Sequence, residues 1–262
     1  MHLENLTKRV VDIAKQAGDF IRQERKSFSP DKIEYKGLND LVSYVDKGAE
    51  KIIVAGLEQL LPESGFITEE KTTTKTGQRY NWIIDPLDGT TNFIHGVPTF
   101  SVSIALQEYD ELVIGVVYEI NLDECFYACK GSPAYLNGQQ IRVSNIPAVG
   151  RSLIATGFPY YNFEKQQAYM ELFTELMKSC HGLRRLGSAA VDLVYTACGR
   201  FEAFYEYNLN AWDIAAGVVI VRQAGGEVVN FKGGSEVLNT RELLATNGKI
   251  TQEALGIIQK YF

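Results

Sequence analysis

The densest group of chemically capable residues in this 262-residue chain is Trp82-Ile83-Ile84-Asp85-Pro86-Leu87-Asp88-Gly89-Thr90-Thr91-Asn92. The three apolar residues predict a buried strand. Asp85 falls at its carboxyl end, Pro86 stops it, and Asp88 follows one turn later with Gly89 giving the backbone freedom. Two carboxylates then converge at a strand end. N–H groups around Gly89 and Thr90, where they open a helix, point outward unpaired and suit an anion such as phosphate. The chemistry indicated is a metal ion beside a phosphate. An Asp-rich turn that bonds only its own backbone would have the same composition.

Other acids occupy comparable places. Glu69 and Glu70 follow the stretch 66–68, and because neighbouring side chains on an extended segment point oppositely, only one of them can face a given site. Asp213 follows Trp212 at the start of an apolar helix, where the helix dipole favours a carboxylate and capping is an equally good account. Asp46 lies three residues after Ser43, the spacing of a capping box. Carboxylates drawn together without counter-charge would raise one another's pKa values and cost stability. Hard divalent cations with oxygen ligands offset that repulsion.

The elements that must position these residues follow from periodicity. Leu3, Leu6, Val10, Ile13, Ala17 and Phe20, at alternating steps of three and four, predict a helix ending before Pro30. A second helix, from about residue 43 to 61, turns Val45, Ala49, Ile52, Ile53 and Leu60 inward and stops at Pro62; the two pack together. Short strands at 66–68 and 82–84 flank a polar loop over 71–79. The stretches 100–106, 112–118 and 125–128 are expected to be antiparallel because their connections are short. After about Gly150 the pattern alternates: strands near 153–155, 202–205, 228 and 243, with helices at 163–179, 188–198, 212–224 and the end of the chain. The expectation is an α+β half, residues 1–150, and an α/β half, residues 151–262, with helices layered on a second sheet and no flexible linker between them.

Composition narrows the function. The chain carries 26 Lys and Arg against 32 Asp and Glu, net −6, and is 45% hydrophobic and 22% charged, which excludes disordered and collagen-like classes. No apolar run approaches the roughly 20 residues of a membrane helix, and residues 1–5 carry no basic-then-apolar signal pattern, so a soluble cytoplasmic chain is expected. The acidic balance argues against a nucleic-acid backbone binder. Cys125, Cys129, Cys180 and Cys198 are read as reduced thiols. The first two have the separation of a zinc pair but no nearby ligand pattern, so core thiols are expected. His95 stands either at the edge of the site or on the surface, His181 in a turn, and Arg184 and Arg185 either near an anionic substrate or paired with surface acids. Neither a P-loop nor a dinucleotide-binding glycine pattern occurs. In the Asp-x-Asp loop of aspartyl-phosphatases one residue separates the acids, but two lie between Asp85 and Asp88.

Asp85-Pro-Leu-Asp88-Gly89-Thr90-Thr91-Asn92 after Trp82-Ile-Ile, and Trp212-Asp213-Ile-Ala-Ala-Gly217 followed by Ala224-Gly225-Gly226, resemble the two signatures of the inositol monophosphatase family. In family order come Lys36-Gly37-Leu-Asn-Asp40-Leu-Val with Asp46, Thr68-Glu69-Glu70, Arg185-Leu-Gly187-Ser188-Ala189-Ala190, and Tyr205-Glu206. The resemblance implies a layered α-β-α-β-α sandwich of the sugar-phosphatase type. It implies that Glu69, Asp85 and the Leu87 carbonyl hold one Mg²⁺, that Asp85, Asp88 and Asp213 hold a second, and that a third, weaker ion lies near Glu69. Asp46 and Thr90 would orient the attacking water, and Glu70 would stand behind the ligands. Gly89 and Thr90 would contact phosphate; Gly187, Ser188, Ala189 and Glu206 the sugar ring; Asp88 and Asp213 the substrate as well. Ala211 departs from the proline that many relatives place before the Trp-Asp pair.

The implied activity is Mg²⁺-dependent hydrolysis of inositol monophosphate by in-line attack of a metal-activated water, with Li⁺ inhibition and a homodimer. Related chemistry on fructose 1,6-bisphosphate, the 2′-phosphate of NADP or 3′-phosphoadenosine 5′-phosphate is the alternative. Residues closing the pocket are expected partly from the loop 158–163. A non-catalytic regulatory scaffold is the reading from a different class.

Overall fold

The structure, a computed structural model, describes residues 2–28, 33–37, 40–159 and 163–262. Leu38 and Asn39 of the lysine-glycine motif, with the side chains of Lys36 and Asp40, lie outside what is described, as do residues 160–162 of the 158–163 loop.

Helix α1 (Leu3–Ser27) buries Leu6, Val10, Ile13, Ala17 and Ile21 on one stripe, as its periodicity requires. Helix α2 (Tyr44–Leu60) begins at Ser43, whose N–H donates to Asp46 Oδ2 at 2.8 Å while its Oγ accepts from Val45 N, the predicted capping box. Ahead of α2 lies the antiparallel pair β1 (Ile33–Gly37) and β2 (Asp40–Ser43).

A seven-stranded sheet follows, in sequential order: β3 (Gly65–Thr68), β4 (Tyr80–Asp88), β5 (Ser101–Glu108), β6 (Glu111–Glu119), β7 (Glu124–Cys129), β8 (Ala134–Leu136) and β9 (Gln139–Ile141). Only β3 and β4 are parallel; the later neighbours are antiparallel, as their short connections predict. The short helix α3 (Thr90–His95) leaves the end of β4. A second, five-stranded sheet holds β10 (Leu153–Thr156), β11 (Gly182–Arg184), β12 (Ala203–Tyr207), β13 (Glu227–Val229) and β14 (Glu242–Thr246) in the order β11-β10-β12-β14-β13. Helices α4 (Gln166–Ser179), α5 (Ala189–Ala197), α6 (Ala211–Gln223) and α7 (Thr251–Ile258) complete the described elements.

Alternation along the strands sorts the apolar residues into three cores. Trp82, Ile84, Ile104 and Val116 pack with α1 and α2, while Ile83, Ala105 and Val117, one position away, face α5 and α6. Ala155, Phe204 and Ala245 close this middle core from the second sheet, and Ile154, Tyr205 and Leu244 point the other way onto α4 and α7. The result is five layers, α-β-α-β-α. Helix α6 is apolar nearly all round, Ile214 to Val221 being buried, because it lies between two sheets.

Two boundaries differ most from those predicted. Strand β4 runs through Pro86 to Asp88: β3 stops pairing at Ile84, and the register with β5 shifts between Asp85 and Asp88. The proline's missing N–H thus falls in a bulge where neither ladder needs it. Helix α4 begins at Gln166 rather than at 163.

Candidate active site

A cavity of about 400 Å³ opens where β4 ends in α3 and where the first turns of α5 and α6 meet the end of β12. Glu69, Asp85, Leu87, Asp88, Gly89 and Thr90 border it from the first half of the chain. Gly187, Ser188, Ala189, Glu206 and Asp213 border it from the second. Asp46 and Glu70 do not.

Local hydrogen bonds place each acid. Asp85 Oδ1 accepts from Leu87 N at 2.9 Å, and Asp213 Oδ2 accepts from Asn210 N at 2.6 Å at the start of α6. Asp88 Oδ2 accepts from Ser188 Oγ at 2.5 Å and from Ala190 N at 2.7 Å, joining β4 to the opening of α5. The turn and cap readings of the sequence therefore hold together with the site reading, because a carboxylate has two oxygens and only one is needed locally. Asp46 lies behind the cavity. Its Oδ2 accepts from Ser43 Oγ at 2.6 Å and its Oδ1 from Thr90 Oγ1 at 2.8 Å, so it meets the site through Thr90. The same Thr90 hydroxyl is 2.9 Å from the Leu87 carbonyl oxygen.

Of the Glu69–Glu70 pair, which bends away after β3 rather than continuing extended, only Glu69 borders the cavity. The loop beyond is fastened to Glu50, a fully buried acid of α2: Oε2 accepts from Glu70 N at 2.8 Å, and Oε1 from Thr72 N and Thr72 Oγ1, both at 2.7 Å. The sequence reading missed Glu50, although an acid one turn after Asp46 beside the inward Ala49 was a visible signal. Gly89 and Gly187 approach each other here with φ of 96° and 93°, and a Cβ on Gly89 would come within 3.2 Å of the Gly187 carbonyl oxygen.

Burial dominates the electrostatics. It holds Asp85 well above its ordinary pKa, with added repulsion from Glu69, Asp88 and Asp213. Burial pushes Asp88 up to about 6 against the hydrogen bonds from Ser188 and Ala190, Asp213 to about 7, and Glu206 to about 8. Lys71 and Arg185 are the only basic residues bordering the cavity among those described. An all-oxygen donor set with so little counter-charge fits a hard divalent cation, which would replace the protons these raised values imply. Among the described residues no three acids, histidines or cysteines are drawn together as a finished cage.

The remaining candidates fall as follows. His95 is exposed at the end of α3 and away from the cavity, and His181 is exposed in a turn. Cys125 and Cys129 are buried in β7, and burial pushes the Cys125 thiol up to about 12. Arg184 Nη1 donates to the Leu183 carbonyl, whereas Arg185 borders the cavity with its guanidinium 5.9 Å from the Phe158 ring. Ala211 is the first residue of α6, a position that admits proline and alanine alike. Among the cavity residues that escaped the sequence reading are Asp192, a lone acid in the apolar run of α5, and Asn208, after β12.

Residues 2–261 match the inositol monophosphatase family. The inositol-1-monophosphatase of Mesorhizobium japonicum is 37% identical over 252 residues, 96% of this chain and 95% of its own. The Nus factor SuhB of Escherichia coli is 40% identical over 249 residues, 94% of this chain and 92% of its own. The crystal structure of the extragenic suppressor protein suhB from Bartonella henselae superposes with a TM-score of 0.91 at 36% identity, covering 98% of this chain and all of that one. By sequence and by fold, the chain belongs to the inositol monophosphatase family.

Proposed function

We propose that the protein is a Mg²⁺-dependent phosphomonoesterase that hydrolyses inositol monophosphate to inositol and phosphate by in-line attack of water. One observation carries this: Glu69, Asp85, Asp88 and Asp213, from both halves of the chain, border one cavity at the opening of α3. Glu69, Asp85 and the Leu87 carbonyl would hold one ion, Asp85, Asp88 and Asp213 a second, and the surroundings of Glu69 a weaker third. Bound there, Mg²⁺ supplies charge neutralisation of the phosphoryl oxygens, a lowered pKa for water, and stabilisation of the departing alkoxide.

The chain's own residues do the rest. The Thr90 hydroxyl, held by Asp46 Oδ1 and the Leu87 carbonyl, orients the attacking water, and Asp46 receives its proton through that hydroxyl. Glu69 turns the same water toward phosphorus. Gly89 and Thr90 present backbone N–H groups to the phosphate. Gly187, Ser188, Ala189 and Glu206 seat the alcohol, with Asp88 and Asp213 at the junction of the two, and Glu70 supports Glu69 from behind. Residues 1–150 thus contribute most metal ligands, and residues 151–262 complete the metal and substrate site. A cytoplasmic homodimer inhibited by Li⁺ belongs to the same proposal.

The experiment is phosphate release from inositol 1-phosphate, fructose 1,6-bisphosphate, NADP and 3′-phosphoadenosine 5′-phosphate, with Mg²⁺ and with chelator. Turnover should be fastest on inositol 1-phosphate and vanish with chelator. Preference for another ester would move the substrate while keeping the chemistry. Absence of release from all four would favour a non-catalytic scaffold acting through a partner surface, a reading that relatives named Nus factor SuhB support.

A further inference from the structure

We propose that Asp192 and Asn208 form a hydrogen-bonding subsite for the polyhydroxylated alcohol of the ester, on the cavity wall that Glu206 also lines. The inference rests on the phosphomonoesterase reading and narrows its substrates to polyol esters.

Asp192 lies one turn beyond Ser188 in α5, 1% exposed, in the run Ala190-Val191-Asp192-Leu193-Val194 whose other members belong to the buried core. It borders the cavity, and its Oδ1 is sealed from solvent with no hydrogen-bond partner. Three residues inside the helix, it is too far along to cap it. Asp192 is the acid of the first turn of α5, where the helix dipole favours a carboxylate, but its buried Oδ1 is left unpaired, which is costly.

Asn208 supplies the complementary group. It follows Glu206 by two residues, just past the end of β12. Its Nδ2 is likewise buried without a partner, and the residue borders the same cavity. Its φ of 66° is left-handed. Asn is tolerated there when its side chain hydrogen-bonds locally, yet this amide nitrogen does not. Arg241 fixes the turn instead, Nη2 donating to the Asn208 carbonyl at 3.1 Å and Nε to the Leu209 carbonyl at 2.9 Å. The amide is thereby left for another purpose.

An unpaired acceptor and an unpaired donor on one cavity wall match a hydroxylated ligand, because each hydroxyl both donates and accepts. The final torsions of Asp and Asn are broad and roughly two-fold, so a small rotation brings each hidden atom to an arriving hydroxyl. What is unsatisfied in the free cavity becomes satisfied in the complex, and the gain appears as affinity for the alcohol.

The test uses the Mg²⁺-loaded full chain with inositol 1-phosphate and with p-nitrophenyl phosphate, whose leaving group has no polyol. Asp192→Ala should raise KM for inositol 1-phosphate about tenfold more than KM for the aryl ester, and Asn208→Gly, which also removes the left-handed strain, about threefold more. Asp192→Asn keeps a carbonyl acceptor and should recover part of the loss. Neither deletion should lower Tm, since neither group stabilises the free fold. Equal KM shifts on the two esters, or a Tm lowered by more than about 5 °C, would overturn the subsite alone, as would an unchanged KM, which would mean that buried water satisfies both atoms. Wild-type protein that cleaves the aryl ester but not inositol 1-phosphate would remove the substrate reading and the subsite together.

Discussion

The two walls of the cavity are built differently. On the wall from β4, α3 and α2, the acids are held by short hydrogen bonds: Asp85 by Leu87 N, Asp46 by Ser43 and Thr90, Asp88 by Ser188 and Ala190 across the cleft. On the wall from α5 and β12, Asp192 has an orphaned oxygen, Asn208 an orphaned nitrogen, and Glu206 is lifted to about 8 by burial. The first wall is organised before anything binds, as positioning of a phosphoryl group requires. The second keeps its polar groups in reserve for a ligand. Chemistry and selectivity should therefore separate by mutation.

The largest effect is expected at the acids proposed to hold metal, Asp85 on the first wall and Asp213 at the start of α6. Asp85→Asn and Asp213→Asn should each reduce Mg²⁺-dependent phosphate release by at least about 10³-fold, the scale of losing an electrostatic element of the transition state. In Asp85→Asn the amide oxygen can still accept from Leu87 N, and one charge leaves a repelling group, so Tm in chelator should hold or rise. Near wild-type turnover from either variant would remove that residue from the ligand set.

Much of this wall was legible in the sequence because its signals are local. A strand of apolar residues followed by Asp-Pro-Leu-Asp-Gly-Thr carries its own turn chemistry, and the capping box at Ser43 and Asp46 needs only four residues. What stayed hidden depends on tertiary packing. Pro86 reads as a strand stop, yet a bulge opposite β5 carries β4 through it. Asp46 reads as a site residue, but it reaches the cavity only because α2 leans on α3 through Thr90. Asp192 reads as one polar position in an apolar helix, and only the second sheet shows that this face meets a cavity.

A smaller loss is expected one layer back. Thr90→Val removes the hydroxyl that links Asp46 to the site without changing side-chain shape, and Asp46→Asn keeps an acceptor but removes the carboxylate that would take the proton. Each should lower kcat by about 10²-fold, typical of a lost general-base step, with KM little changed. A rise in KM at constant kcat would instead assign Thr90 to phosphate binding alone.

The cavity's charge predicts a pH effect on stability. Asp88, Asp213 and Glu206 have folded-state values of about 6, 7 and 8, all above the ordinary carboxylate range. Between about pH 4 and 8 the folded chain therefore binds more protons than the unfolded one, and stability falls as pH rises through that window. Without metal, Tm should be several degrees lower at pH 8 than at pH 5. Mg²⁺ should restore more at pH 8 than at pH 5, because at the lower pH it must displace protons. Equal Tm at both pH values in chelator would mean that burial does not raise these carboxyls in the folded chain.

The smallest effect belongs to the second wall and tests the contrast most closely. Glu206 is packed so tightly against Gly157 that a Cβ there would meet its Oε2 at 2.0 Å, and it borders the cavity. Glu206→Gln preserves that shape and changes only charge and hydrogen bonding. It should change the preference between inositol 1-phosphate and a generic aryl phosphate by about tenfold, the scale of one altered hydrogen bond to the alcohol. The rate on the aryl ester should move less, because the proposed mechanism seats phosphate and water on the opposite wall. Equal losses on both esters would show that Glu206 acts on the reacting phosphate rather than on the alcohol, and the division of labour between the walls would fail with it.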